Sequence, residues 1–449
     1  MIKNTLLPVA EFYQRRNDFI AQMPENSIAL ISAGKEVTRS NDTEYPFCQN
    51  KHFYYLTGFN EPDAILALIK SDKSASLRSV LFSREKDSLQ EIWHGRRVGQ
   101  NQAIEVYKFD HCFSLAEVDK QLLPLITGKT AVLICQHEQN EFQQQVLTWL
   151  AEIRKAVRTG IKAPTTLIDC SDILNEMRLH KSNAELDIMR QVNAISGTAH
   201  QRAMQQTKAG KFEYQIEAEL LHEFATNGAR YPAYSSIVAG GDNANILHYT
   251  DNDEVLNNGD LLLIDAGGEL AGYAADITRT FPVNGKFSTE QNIIYQLVLD
   301  SQNLAIGAIK PGQTLAELNR IVCNFLTQGL YDLGILKGNL TVLLAQRACK
   351  KYFIHGLGHW LGLDVHDVGD YHASPQREQL RTFVAGMVMT IEPGIYILNS
   401  DKSVDEKWRG IGVRIEDNIL VTATGFENLT VNAPKTIADI EEVMAQFTV

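Results

Sequence analysis

The chain has 449 residues, well beyond the ~250 to 300 at which one hydrophobic core stops growing, so two domains are expected. Hydrophobic residues at 44% and charged residues at 21% exclude a disordered or fibrous protein. A net charge of −12 with no Lys/Arg-rich run excludes a nucleic-acid footprint, although part of that charge belongs to any carboxylates gathered around metal.

The opening segment, MIKNTLLPVAEFYQRR, lacks the apolar core and cleavage site of a signal peptide. No apolar run approaches the ~20 residues of a membrane helix, and the expectation is a cytoplasmic protein without membrane attachment. Residues 1–174 read as an α/β domain, in which short apolar strands at 27–32, 64–69 and 131–135 alternate with polar helical stretches. The stretch from Leu147 to Pro164, helical and then loop-like, leads towards a boundary. The six cysteines, Cys48, Cys112, Cys135, Cys170, Cys323 and Cys349, form no C-x-x-C pair and read as reduced, mostly buried thiols. His52, His94, His137 and His222 read as packing or solvated residues.

From Asp172 a helical pattern with an interposed cap at Lys181-Ser182-Asn183 opens the second domain, residues 175–449. A helix over EYQIEAELLHEFATNG follows. Strands are then expected at DLLLIDAGG, GYAADITRTF, MVMTIEPGIYI and GVRIEDNILVT, with helices at Gln291–Ala308 and Leu315–Leu330 between them. The fold class is α+β.

These strands carry the chemistry. Asp265 ends the apolar run Leu261 to Ile264, and a buried carboxylate needs partners. Asp276, eleven residues on, sits among small and apolar neighbours, as two antiparallel strands aiming acids at one point would require. The alternative is that each Asp caps a turn or pairs with an Arg such as Arg279. His355-Gly356-Leu357-Gly358-His359 is followed by His366, and glycines between histidines let imidazoles approach a common centre. Glu392 precedes a Pro-Gly bend and Glu416 lies between strand-like residues, both out of place in a purely structural strand. Two Asp, two Glu and one His are mainly hard oxygen donors that suit Mn²⁺, Mg²⁺, Co²⁺ or Fe²⁺. Four carboxylates balance two divalent ions, which in two-metal hydrolases lie ~3.5 to 4 Å apart.

The order Asp, Asp, HGLGH, IEPG, GVRIED resembles the pita-bread metallopeptidases, a family that includes methionine aminopeptidase, prolidase and aminopeptidase P. In the N-terminal half, Asn41 to Phe47, Tyr55 to Pro62 and Ile92 to Arg97 are similar to the N-terminal domain of bacterial aminopeptidase P. Met177-Arg178-Leu179 and His248-Tyr249-Thr250 extend the resemblance over nearly the whole chain. It implies a C-terminal pita-bread domain whose antiparallel sheet is covered by helices. It implies Asp265, Asp276, His359, Glu392 and Glu416 as ligands of two divalent ions, Mn²⁺ first, with Co²⁺, Zn²⁺ and Fe²⁺ compatible. His248, His355 and His366 would line the substrate site, orienting the peptide carbonyl and stabilising the tetrahedral intermediate, with Glu392 relaying the proton. Tyr396 and Arg414 would support the ligands and contact substrate. Trp93 would approach the active site, of a neighbouring subunit in the family's dimers or tetramers.

The implied activity is removal of the N-terminal residue from peptides with proline second, by a hydroxide bridging the metals. A prolidase, confined to Xaa-Pro dipeptides, shares the ligand set. Creatinase-type metal-free hydrolases and non-catalytic pita-bread binding modules lack ligands that are all present here.

Overall fold

The structure, a computed structural model, describes residues 6–71, 78–136, 140–373 and 378–446. The first five residues of the opening segment and His137 lie outside these. The chain divides into two compact units, Met1–Arg178 and Leu179–Val449.

The first unit is built on a six-stranded mixed sheet of β1 (Ser27–Ser32), β2 (Ile65–Lys70), β3 (Ser79–Ser83), β4 (His111–Ser114), β5 (Ala131–Ile134) and β6 (Thr166–Asp169), in the order β4-β3-β2-β1-β5-β6. β2 runs antiparallel to both β1 and β3, while β1/β5, β3/β4 and β5/β6 are parallel. Central strands of such a sheet are covered on both faces, which is why SIALIS is apolar throughout its middle and buried at every position.

The second unit opens on α1 (Asn183–Gln206), where Ser182 caps the helix and Glu185 completes a capping box, at the cap expected from the sequence. α2 (Glu213–Thr226), α3 (Thr289–Gly307) and α4 (Leu315–Asp332) follow. One sheet joins β7 (Ile237–Gly240), β8 (Leu261–Asp265) and β11 (Thr278–Pro282), with a small hairpin of β9 (Gly268–Leu270) and β10 (Tyr273–Ala274) between β8 and β11. A second joins β12 (Val388–Ile391), β15 (Asp417–Val421) and β16 (Phe426–Asn428), and β13 (Gly394–Ile397) pairs with β14 (Ile411–Arg414). All these pairings are antiparallel.

The strands differ from expectation in one respect. Three of the four are interrupted, one of them at the expected Pro-Gly bend, and each interruption holds an acid: Asp276 between β10 and β11, Glu392 between β12 and β13, Glu416 between β14 and β15. The backbone at each break bonds outside its own ladder. Asp276 N–H donates to Asn418 Oδ1 at 2.9 Å, Glu392 N–H to the Leu357 carbonyl at 2.8 Å, and Glu416 N–H to the Thr278 carbonyl at 3.0 Å. A residue released from the ladder no longer alternates between faces, so each acid is free to aim inward.

Candidate metal centre

Asp265, at the end of β8, stands opposite Thr278 in the antiparallel register with β11, and Asp276 lies just before that strand rather than in it. The three breaks bring Asp276, Glu392 and Glu416 towards it. The ligand atoms of Asp276, His359 and Glu416 lie within 4.8 Å of one another. His359 Nε2 is 3.3 Å from Asp276 Oδ2 and 3.5 Å from Glu392 Oε1. Its other nitrogen, Nδ1, is 3.0 Å from the Trp360 carbonyl, so Nδ1 carries the proton and Nε2 is the nitrogen that meets the carboxylates.

The electrostatics of this cluster call for added positive charge. Burial and the neighbouring acids Asp276, Glu392 and Asp265 push Glu416 well above the usual carboxylate range. Burial raises Glu392 to about 7, with His359 and Arg414 opposing it and Asp276 and Asp265 adding to it. His359 moves the other way: burial disfavours its cation, but Asp276 and Glu392 outweigh that and lift it to about 9. Three acids, Asp276, Glu392 and Glu416, and one imidazole that take up protons to coexist are a donor set two divalent ions would relieve.

Asp265 alone is held below its ordinary value. Burial would raise it, but the Arg414 guanidinium and hydrogen bonds from Tyr234 and Arg414 prevail. Arg414 Nη2 lies 2.6 Å from Asp265 Oδ2, its Nε donates to Thr278 Oγ1 at 3.1 Å, and its Nη1 to Tyr396 Oη at 3.1 Å. The guanidinium is buried. Arg279, the alternative partner for the aspartates, is instead bound to Asp417 at 2.7 Å in a fully buried pair.

The histidines divide into two kinds. His355 Nδ1 lies 2.7 Å from the Gly356 carbonyl and must carry the proton, while Nε2, 2.7 Å from Tyr396 Oη, accepts from that hydroxyl. Burial and the Arg414 charge lower His355 to about 3, consistent with a permanently neutral ring. Both nitrogens are engaged within the protein. His366 and His248 are exposed. The His366 ring packs edge-on to His359 at 4.3 Å between centroids, and burial, His359 and His248 together lower its pKa. Trp93 is in the first unit, on an exposed helix, Ser88–His94, with 76% of its surface accessible.

Three contributors have no signature in the sequence. Tyr234 Oη lies 2.5 Å from both Asp265 Oδ1 and Asp276 Oδ1. Thr278 Oγ1 donates to Glu416 Oε2 at 2.7 Å, and Thr390 Oγ1 to Glu392 Oε1 at 3.3 Å.

Comparison with known proteins agrees with this geometry. A model of metallopeptidase family M24 matches residues 187–423, and one of the aminopeptidase P N-terminal domain matches residues 12–134. Xaa-Pro aminopeptidase of Escherichia coli strain K12 is 48% identical over 434 residues, spanning 97% of each protein. Among solved structures, Pseudomonas aeruginosa aminopeptidase PepP superposes with a TM-score of 0.96 at 44% identity over 98% of this chain and 99% of that one. Zn-substituted E. coli aminopeptidase P in complex with product gives a TM-score of 0.95 at 46% identity over 99% of each chain. The chain belongs to metallopeptidase family M24, with an aminopeptidase P N-terminal domain preceding the metallopeptidase domain.

Proposed function

We propose that this enzyme removes the N-terminal residue from peptides whose second residue is proline, using two divalent ions held by Asp265, Asp276, His359, Glu392 and Glu416. The observation that carries the reading is the convergence of all five side chains in a chain 48% identical, nearly end to end, to an Xaa-Pro aminopeptidase. When bound, the ions supply Lewis acidity and make a water nucleophilic at neutral pH. Mn²⁺ is the first choice for this oxygen-rich set, with Co²⁺, Zn²⁺ and Fe²⁺ as alternatives.

The protein's own part follows from the contacts. Glu392, with Oε1 3.5 Å from His359 and Oε2 3.6 Å from His355, takes a proton from the attacking water and returns it to the leaving proline nitrogen, which has no N–H of its own. Arg414 fixes Asp265, Tyr396 and Thr278 in one plane of hydrogen bonds. His355 holds the Tyr396 hydroxyl, and the exposed His248 and His366 are the groups left to meet the substrate carbonyl. Trp93, exposed on the first unit, is assigned to substrate in a homo-oligomer, dimer or tetramer. No helix among the described residues is long and apolar enough to cross a membrane, and we place the enzyme in the cytoplasm.

Protein stripped of metal and reloaded with Mn²⁺, Co²⁺ or Zn²⁺ should hydrolyse Xaa-Pro-Yaa tripeptides with release of the first residue. Activity confined to Xaa-Pro dipeptides would instead make it a prolidase.

A further inference from the structure

Two fully buried polar side chains, His200 on α1 and Gln302 on α3, reach the backbone beside the ligands rather than the ligands themselves. His200 Nε2 is 3.0 Å from the Ala266 carbonyl and therefore carries the proton. The Ile277 carbonyl faces the same ring, and it accepts the Ala266 N–H at 3.0 Å. Ala266 and Ile277 are the residues that follow Asp265 and Asp276. Gln302 Nε2 donates to the carbonyls of Ile391 and Ile415, each at 3.0 Å. These are the residues that precede Glu392 and Glu416. The Gln302 carbonyl oxygen is in turn fixed by Lys435 Nζ at 2.9 Å.

Gln302 thus spans the backbone of the glutamate pair, and His200 holds the Ala266 peptide, whose own N–H ties it to the carbonyl beside Asp276. Carbonyls beside strand breaks lose ladder partners, and a buried unpaired carbonyl costs about 1 to 3 kcal/mol. Gln302 satisfies two such carbonyls only while their spacing is kept, and His200 satisfies the Ala266 carbonyl only while the Ala266–Ile277 link stays in place. We propose that His200 and Gln302 are positioning residues that set the spacing within the aspartate pair and within the glutamate pair, and through it the affinity for the two ions. The inference rests on the two-ion reading above.

The test is calorimetric titration of Mn²⁺ into metal-free protein, with electron paramagnetic resonance of the exchange-coupled Mn²⁺ pair as a second readout. Two ions are expected on the wild-type chain; fewer overturns the two-ion reading and this inference with it. His200→Leu and Gln302→Met should each weaken Mn²⁺ binding by about tenfold or more and alter the exchange coupling. His200→Gln, which returns an N–H at the reach of Nε2, should stay within about threefold of wild type on the same scale. Two ions bound with unchanged affinity and coupling in the apolar variants overturn the positioning role alone. Should those variants fail to fold, His200→Asn, one methylene shorter than Gln, carries the decision. It should show the tenfold loss that His200→Gln avoids, and equal affinities for the two amides overturn the proposal.

Discussion

Arg414 shows how much one side chain carries at this centre. Its guanidinium serves Asp265, Thr278 and Tyr396 through three different nitrogens. An ammonium has the charge but not the fork, so Arg414→Lys should lower kcat/KM for Xaa-Pro-Yaa peptides by roughly 10- to 100-fold while the fold is kept. Activity within about twofold of wild type on that scale would show that the charge alone suffices. Glu392 gives a pH dependence. Its folded-state value, about 7, lies above the ordinary 4.5, so the metal-free folded protein holds this proton more tightly than the unfolded chain does. The associated stability is complete below about pH 4.5 and is lost as pH climbs through about 7. Urea midpoints of metal-free protein across that range should fall more steeply for wild type than for Glu392→Gln, whose amide never ionises. Parallel curves would contradict the assignment.

At the scale of elements, close approach decides which glycine of the histidine loop matters. A Cβ on Gly358 would stand 2.0 Å from the Thr390 carbonyl, whereas one on Gly356 meets nothing nearer than 4.0 Å. The expectation that glycines let the imidazoles converge therefore applies to Gly358, which seats the loop on β12 through the His359 carbonyl and Thr390 N–H. Gly358→Ala should destabilise the protein by about 3 kcal/mol or more, since neither backbone can yield cheaply. Gly425→Ala, where nothing lies within 4 Å, is the control and should change the midpoint little. Elements were also where the sequence misled. Patterns such as GVRIEDNILVT have the apolar content of one strand, but the acid within is a break, because a carboxylate kept in register would have had to follow the pleat.

At the scale of the molecule, all five proposed ligands lie in the unit Leu179–Val449 and none in Met1–Arg178. Ligands that bind only the folded state stabilise it by mass action, by about 2.7 kcal/mol at a hundred times Kd. Chelation should therefore lower the calorimetric transition of the second unit and leave that of the first in place. An equal shift of both would mean that the two units unfold as one.

What the sequence by itself determined is the chemistry on offer: two domains, an oxygen-rich donor set at Asp265, Asp276, His359, Glu392 and Glu416, and motifs shared with a metallopeptidase family along almost the whole chain. Those are local properties, fixed by residue type and spacing. Only the tertiary structure decided who meets whom. Asp265 pairs with Arg414, 149 residues away, and not with the nearby Arg279. Tyr234 bridges two aspartates that no periodicity connects to it, and His355 gives both ring nitrogens to the protein. Such contacts depend on which strands become neighbours and where they break, and that is settled when the whole unit packs, with every buried polar group requiring its partner at once.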